Sequence, residues 1–260
     1  MQGAKRVRIF LAGHIGREIP EEFIKYRAPY VLQTYYDMQM WERELVLSAI
    51  HTPDVFFLDS GAFSFMNSVK QDIDFDQYLC RYADFINRYS IAHYFELDLD
   101  TIVGVNNTRK MTDKLEALTG KQCIPVFHAC RGMDGWRRML KQYPYVAIGA
   151  SGITAECRWV KNDKLLLSLV RMAHAAGVKV HGLGYTRLAN INDTYIPFDS
   201  VDSSACLSGG RFATIYKFTG TRLISKSIKG RSKGYKVLND HNIQEWIKMC
   251  RYKAGIEDEG

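Results

Sequence analysis

Residues 144–183 read PYVAIGASGITAECRWVKNDKLLLSLVRMAHAAGVKVHGL, and this stretch settles the architecture. Val146–Ile148 is a short apolar run. Lys164–Ala176 carries apolar residues at helical spacing, and Gly177 stands in the position of a helix-closing C′ glycine. Val178–Leu183 is a second apolar run. Strand, helix, strand in this order, with apolar strands, predicts two parallel strands joined by a crossover helix.

The same alternation extends in both directions. Val7–Ala12, Val55–Leu58, Tyr94–Leu97 and Ile124–Phe127 read as strands upstream, and Phe198–Val201 downstream. Phe75–Tyr89 places Tyr78, Leu79, Tyr82, Phe85 and Ile86 on one helical face, and Asn106–Leu118 and Gly135–Tyr143 follow the same pattern. Seven strands are regular. An eighth, irregular one is expected at Leu223–Ile228. This many strand–helix repeats in 260 residues predicts a (β/α)8 barrel of TIM type, as a single domain over 1–260. An open doubly wound sheet is the alternative, but no GxGxxG follows the first strand. Tyr30, Tyr35, Tyr36 and Trp41 form an aromatic excursion after that strand, read as packing.

No run of about 18 apolar residues is present, so no membrane span is expected. The opening MQGAKRVRIFLAGHIG enters a strand pattern and lacks the layout of a signal peptide. Six cysteines (Cys80, Cys123, Cys130, Cys157, Cys206 and Cys250) are scattered without a CxxC pair. That usage fits free thiols in a reducing cytoplasm.

Barrel chemistry is built at the C-terminal ends of strands. Here those ends carry Asp59-Ser60-Gly61-Ala62-Phe63-Ser64, Glu96-Leu97-Asp98-Leu99-Asp100, His128, Gly149-Ala150-Ser151-Gly152, His181-Gly182-Leu183-Gly184-Tyr185 and Asp199-Ser200-Val201-Asp202-Ser203-Ser204. A single aspartate after a strand is commonly a helix cap. So many carboxylates on one rim call for another account. One carboxylate could attack a sugar anomeric carbon while a second moves the proton of the leaving group. A carboxylate could equally accept the N–H donors of a purine edge. His128, His181 and Asp202 could instead form a mononuclear metal site, as in metal-dependent hydrolases, although the first strand has only His14 and no HxH.

The charge distribution adds a partner. The chain carries 35 Lys+Arg against 28 Asp+Glu, a net +7. Between Arg211 and Lys236 lie eight basic residues and no acidic one, which leaves the rest of the chain at −1. Phe212, Tyr216, Phe218 and Tyr235 are interleaved with them. Such a strip, at about 207–236, suits a nucleic-acid backbone and unstacked bases. A non-catalytic nucleic-acid-binding barrel is the reading that needs this strip alone.

Taken in order, the strand-end segments resemble the tRNA-guanine transglycosylase superfamily over roughly Val55 to Arg211. Asp59-Ser60-Gly61-Ala62-Phe63 is similar to that family's D-S-G-G-[FY], whose aspartate is the general acid/base and whose aromatic stacks on the exchanged base. Asp98 resembles the base-recognising aspartate, with Asp100 the alternative register. Ala147-Ile148-Gly149-Ala150-Ser151 resembles A-I-G-G-L, where main-chain groups touch the base. Asp199-Ser200-Val201-Asp202 keeps the D-x-x-D spacing whose second aspartate is the nucleophile. Ser208-Gly209-Gly210-Arg211 resembles a loop lying against the nucleic acid.

The departures matter. His128 stands where the family has a glutamine that holds the base, and Ala62 and Ala150 replace glycines. The C-x-C-x-x-C…H zinc segment is missing. In that respect the chain resembles compact, phage- or genomic-island-associated members that place 7-deazaguanine bases in DNA. The resemblance implies catalysis by Asp202 and Asp59, and base binding by Asp98, Phe63, His128, Gly149, Ala150, Ser151 and Gly182. Arg211, Lys217, Arg222, Lys226, Lys229, Arg231 and Lys233 would contact phosphates. It also implies DNA (alternatively tRNA) and a 7-deazaguanine base as partners, with no redox cofactor, ATP or catalytic metal required.

Overall fold

The computed structural model describes residues 7–61, 74–149, 162–185, 187–227 and 234–256. Seven parallel strands form one sheet: β1 (Arg8–Ala12), β2 (Tyr30–Thr34), β3 (Val55–Asp59), β4 (Val126–Phe127), β5 (Tyr145–Ile148), β6 (Lys179–Gly182) and β7 (Ser200–Ser203). Their spatial order is β3-β2-β1-β7-β6-β5-β4.

The two outer members of that order do not end in free edges. Parallel bridges Leu58↔Tyr94 and Phe95↔Ile124 insert the segment around Tyr94 between β3 and β4. Four main-chain hydrogen bonds carry the junction: Leu58 N–H to His93 O, Phe95 N–H to Leu58 O, Glu96 N–H to Ile124 O and Ile124 N–H to Tyr94 O, at 2.8–3.2 Å. With this eighth segment the sheet closes into a barrel and satisfies the main-chain groups that open edges would leave unpaired.

Each of the eight segments is followed by a helix, in order Glu18–Lys25, Arg43–His51, Phe75–Arg88, Val105–Thr119, Gly132–Gln142, Asp163–Ala175, Leu188–Asp193 and Tyr235–Ala254. The expected (β/α)8 barrel is the fold. Its strand count was misassigned at one place. Leu223–Ser227 is not a barrel strand; as β9 it pairs antiparallel with β8 (Thr214–Phe218) in a hairpin inserted before the last helix. The missing barrel strand is β2, within the aromatic excursion. Gln33 breaks its apolar run, yet Gln33 is buried and donates from Nε2 to the Gly13 carbonyl at 3.1 Å. A satisfied buried amide therefore disguised a strand.

Two apolar layers hold the barrel. Inside, Phe10, Leu32, Phe57, Phe95, Val126 and Ala147 fill the bore, with the Phe10 and Phe57 rings stacked at 4.0 Å. Outside, the helices bury one face each against the wall. Helix Phe75–Arg88, capped by Asp74 accepting from Gln77 N–H, buries Tyr78, Leu79, Tyr82, Ala83, Phe85 and Ile86. At about 1.5–3 kcal/mol for each large apolar side chain buried, this face alone outweighs the helix's own modest propensity.

The last helix runs back from the mouth, and its final residue Ala254 and Ile256 just beyond it pack against the inner layer at the strand-start end. Tyr216 and Phe218 of the hairpin pack against Trp246 and Tyr252 of that helix. Among the described residues no helix is long and apolar enough to cross a membrane.

Candidate active site at the barrel mouth

Side chains alternate across a strand, so residues two apart share a face. Phe57, Val126 and Ala147 point into the bore. The residues one pleat higher are Asp59, His128 and Gly149. On β7, Ser200 and Asp202 share the inward face, level with Arg8 and Phe10 in the β1 register. Positions from β3, β4, β5 and β7 thus converge on the C-terminal mouth, where barrel chemistry is built.

Three carboxylates leave the rim, Glu96 and Asp199 by the same parity and Asp100 through its ion pair. Glu96 is offset by one residue from inward Phe95 and lies in the wall. Its carboxylate accepts from Thr112 Oγ1 at 2.5 Å and from the Val126 N–H at 2.6 Å, and it pairs with Arg131 at 2.8 Å. Asp100 is buried and held by Arg131 through Nε at 2.5 Å and Nη2 at 3.0 Å. Asp199, offset from inward Ser200, accepts from the Val180 N–H and contacts His174 at 2.8 Å. Asp59, Asp98 and Asp202 remain.

Their environments differ. Asp59 accepts the Gly61 N–H on Oδ2 at 3.0 Å. Burial pushes its carboxyl up to about 7; the Gly61 hydrogen bond opposes the rise, and the nearby charges of Asp202 and Asp98 reinforce it. Gly61 sits at φ +79°, and a Cβ there would lie 2.5 Å from the Tyr36 Cβ, so the turn that presents Asp59 admits glycine only. Asp202 accepts from the Gly184 N–H at 2.6 Å and from His181 Nε2 at 3.1 Å, both on Oδ1. Among the described residues no hydrogen bond falls on its Oδ2.

Asp98 Oδ1 meets His128 Nε2 at 2.5 Å, and the His128 ring is buried. Gly149 makes room for that ring: a Cβ at 149 would lie 3.0 Å from His128 Cε1 and 2.6 Å from a Val126 methyl. Gly182 belongs elsewhere. It is offset from inward His181, and a Cβ there would meet Tyr185 and Phe198 of the helix-side layer, at 3.1 and 3.2 Å. Its expected place beside the base is corrected to a packing role. Phe63, Ala150 and Ser151 lie outside the described residues.

The cationic strip divides. Lys217 and Lys226 are exposed on the hairpin. Arg222 forms a two-point pair with Asp193 at 2.6 and 3.1 Å, next to Lys253 near the end of the last helix. That end is the strand-start end, so Arg222 lies remote from the mouth, which corrects the expectation that the whole strip borders it. Lys229, Arg231 and Lys233, and the side chain of Arg211, lie outside the described residues. Lys236 pairs with Glu18. Of the interleaved rings, Tyr216 is buried and Phe218 packs on Tyr252, whereas Phe212 is 70% and Tyr235 40% exposed.

Two features were not anticipated from the sequence. Arg131 holds Glu96 and Asp100 together in the wall, and Ser200 with Tyr145 forms a hydrogen-bonded column beneath Asp202. Counting pleats from the apolar strand residues would have found the second, whereas Arg131 lies off the strands, at the start of the helix after β4. Among the described residues no group of three or more His, Cys, Asp or Glu is placed to hold a metal ion. His128 and His181 each engage a different carboxylate.

No family model matches the chain, and no curated protein is significantly similar to it. Among solved structures it is similar to the crystal structure of a "putative fructose-1,6-biphosphate aldolase" from Coccidioides immitis. The identity is 12% and the TM-score 0.53, with 98% of this chain and 89% of that chain covered. At that identity the likeness concerns the fold, an α/β barrel of TIM type.

Proposed function

We propose that the chain is a base-exchange transglycosylase that removes guanine from DNA and installs a 7-deazaguanine derivative through a covalent aspartyl-glycosyl intermediate. One observation carries the reading: two inward carboxylates of unequal character share a single barrel mouth. Asp59 is poised near neutrality, as suits a group that gives and then takes a proton. Asp202 is anchored through Oδ1, with Oδ2 available for attack.

The target guanine is extruded from its stack at a cost of a few kcal/mol, offset by phosphate contacts from exposed cations such as Lys226. Asp98 accepts hydrogen bonds from the base's N–H donors, and His128 orients Asp98. Asp202 Oδ2 attacks C1′, the C1′–N9 bond breaks with its electron pair passing to guanine, and Asp59 supplies the proton. The incoming base then gives its N9–H to Asp59, its N9 attacks C1′, and the ester bond returns its electron pair to Asp202. The cycle closes with Asp59 protonated and needs no external oxidant or reductant.

DNA is favoured over tRNA because the zinc segment tied to tRNA in the resembled family is missing from the sequence, and a basic hairpin follows β7 instead. The test offers both polymers, with labelled guanine, to the purified chain. Incorporation into DNA that Asp202→Ala abolishes while DNA binding persists supports the reading. Incorporation into tRNA alone transfers the chemistry to that polymer, and unchanged exchange in Asp202→Ala refutes the role of Asp202.

A further inference from the structure

Beneath Asp202 a column of polar groups descends through an otherwise apolar bore. Tyr145 Oη lies 2.6 Å from Ser200 Oγ, Ser200 Oγ lies 2.5 Å from His181 Nδ1, and His181 Nε2 lies 3.1 Å from Asp202 Oδ1. His181 and Ser200 are fully buried. The imidazole is ringed by Phe10, Phe57 and Phe95 at centroid distances of 5.9, 5.5 and 5.3 Å. A polar column through the aromatic layer is costly to bury unless every member is satisfied.

One proton arrangement satisfies all of it in one direction. Burial pushes the Tyr145 hydroxyl up, against the opposing hydrogen bond to Ser200, so it is a phenol and can donate. Tyr145 O–H then donates to Ser200, Ser200 O–H donates to His181 Nδ1, and His181 Nε2–H donates to the Asp202 carboxylate. In this arrangement Nδ1 is the acceptor and the ring carries its proton on Nε2.

We infer that His181, Ser200 and Tyr145 are positioning residues that present Asp202 as an oriented anion and favour its departure from the covalent intermediate. This rests on the proposed transglycosylase reading for its kinetic consequence, though not for the tautomer itself. A hydrogen bond to a carboxylate is roughly twice as strong as one to a neutral acceptor. The Nε2–H bond is therefore stronger when Asp202 is free than when its oxygen belongs to an ester. The column thus lowers the barrier of the second half-reaction, in which the carboxylate leaves and the incoming base attaches.

Two measurements test this. The first needs no activity: two-bond ¹H–¹⁵N correlation spectra of the full chain labelled at histidine, with His181 assigned by its loss in His181→Gln. The expected pattern is a neutral Nε2–H imidazole at neutral pH, and its replacement by a mixture of tautomers in Ser200→Ala. An imidazolium or an Nδ1–H tautomer in the native chain overturns the assignment.

The second measures labelled-guanine exchange into DNA, with intact-mass detection of the covalent adduct after acid quench. Ser200→Ala is expected to lower kcat by roughly 10- to 100-fold, to leave KM within about twofold, and to raise the adduct level. His181→Gln, whose amide can still donate to Asp202, is expected to recover most of the rate that His181→Leu loses. Native kcat and adduct level in Ser200→Ala would overturn the proposed role. Absence of exchange by the native chain on any polymer would sink the transglycosylase reading and the kinetic role resting on it, leaving the tautomer assignment to the spectra.

Discussion

Replacing Asp59 by asparagine should stabilise the protein near neutral pH, by an amount that vanishes in acid. The Asp59 carboxyl is raised from 3.8 to about 7, chiefly by burial. Below about pH 4 it is protonated in both folded and unfolded chains, and the native state suffers nothing from it. As pH rises the unfolded chain ionises first, so stability is lost progressively between about pH 4 and 7 and is then constant. A shift of roughly 3 units at about 1.4 kcal/mol each gives a ceiling of about 4 kcal/mol, and solvent at the partly open mouth reduces this to about 2. Asparagine keeps an oxygen to accept the Gly61 N–H and cannot ionise. Urea unfolding of the native chain and Asp59→Asn, at half-unit steps from pH 4 to 8, measures the difference. Glu22, also raised to about 7 by burial together with Asp240 and Glu18, titrates in both proteins and cancels. Stability–pH curves that stay parallel across this window would refute the claim that the mouth holds Asp59 protonated.

Gly61→Ala should destabilise by about 1–3 kcal/mol, read as a fall in the thermal midpoint, since it combines φ +79° with a 2.5 Å approach to Tyr36. Arg131→Met should cost about 3–5 kcal/mol in urea unfolding because it strands Glu96 and Asp100 as buried charges, and adding Glu96→Gln with Asp100→Asn should recover much of it. In DNA binding followed by anisotropy against salt concentration, Lys226→Gln should reduce the log–log slope by about 0.9, whereas Arg222→Gln, already paired with Asp193 and remote from the mouth, should leave it unchanged.

Much of the barrel was legible because parallel strands buried on both faces read as short apolar runs with helices between them. Where the reading failed, a local rule was overridden by a tertiary partner. Gln33 interrupts β2 as a sequence but not as a structure, since the Gly13 carbonyl satisfies it. Leu223–Ser227 has the composition of a strand and is one, but only Leu223 is buried, so it belongs to a surface hairpin and not to a barrel wall. Strand ends identified the mouth, yet naming every acid there overcounted. The same holds for the basic strip: a run of like charges in sequence spans the length of a helix in space, and its members reach opposite ends of the barrel.

Local partners, and not pleat parity alone, decide which acids can do chemistry. In Glu96-Leu97-Asp98-Leu99-Asp100 the three carboxylates look equivalent, being evenly spaced. Glu96 and Asp100 both close on Arg131, while Asp98 alone turns to His128. The wall thus takes up two carboxylates and pairs both with one guanidinium. The mouth keeps a single acid from that run, near enough to Asp59 to raise it. Had all three faced inward, their mutual repulsion would have forced protons onto several of them, leaving no clear division between a carboxylate that attacks and a carboxyl that carries a proton. Arg131, a residue in the wall, is accordingly part of the reason Asp59 and Asp202 can hold different roles 143 positions apart in the chain.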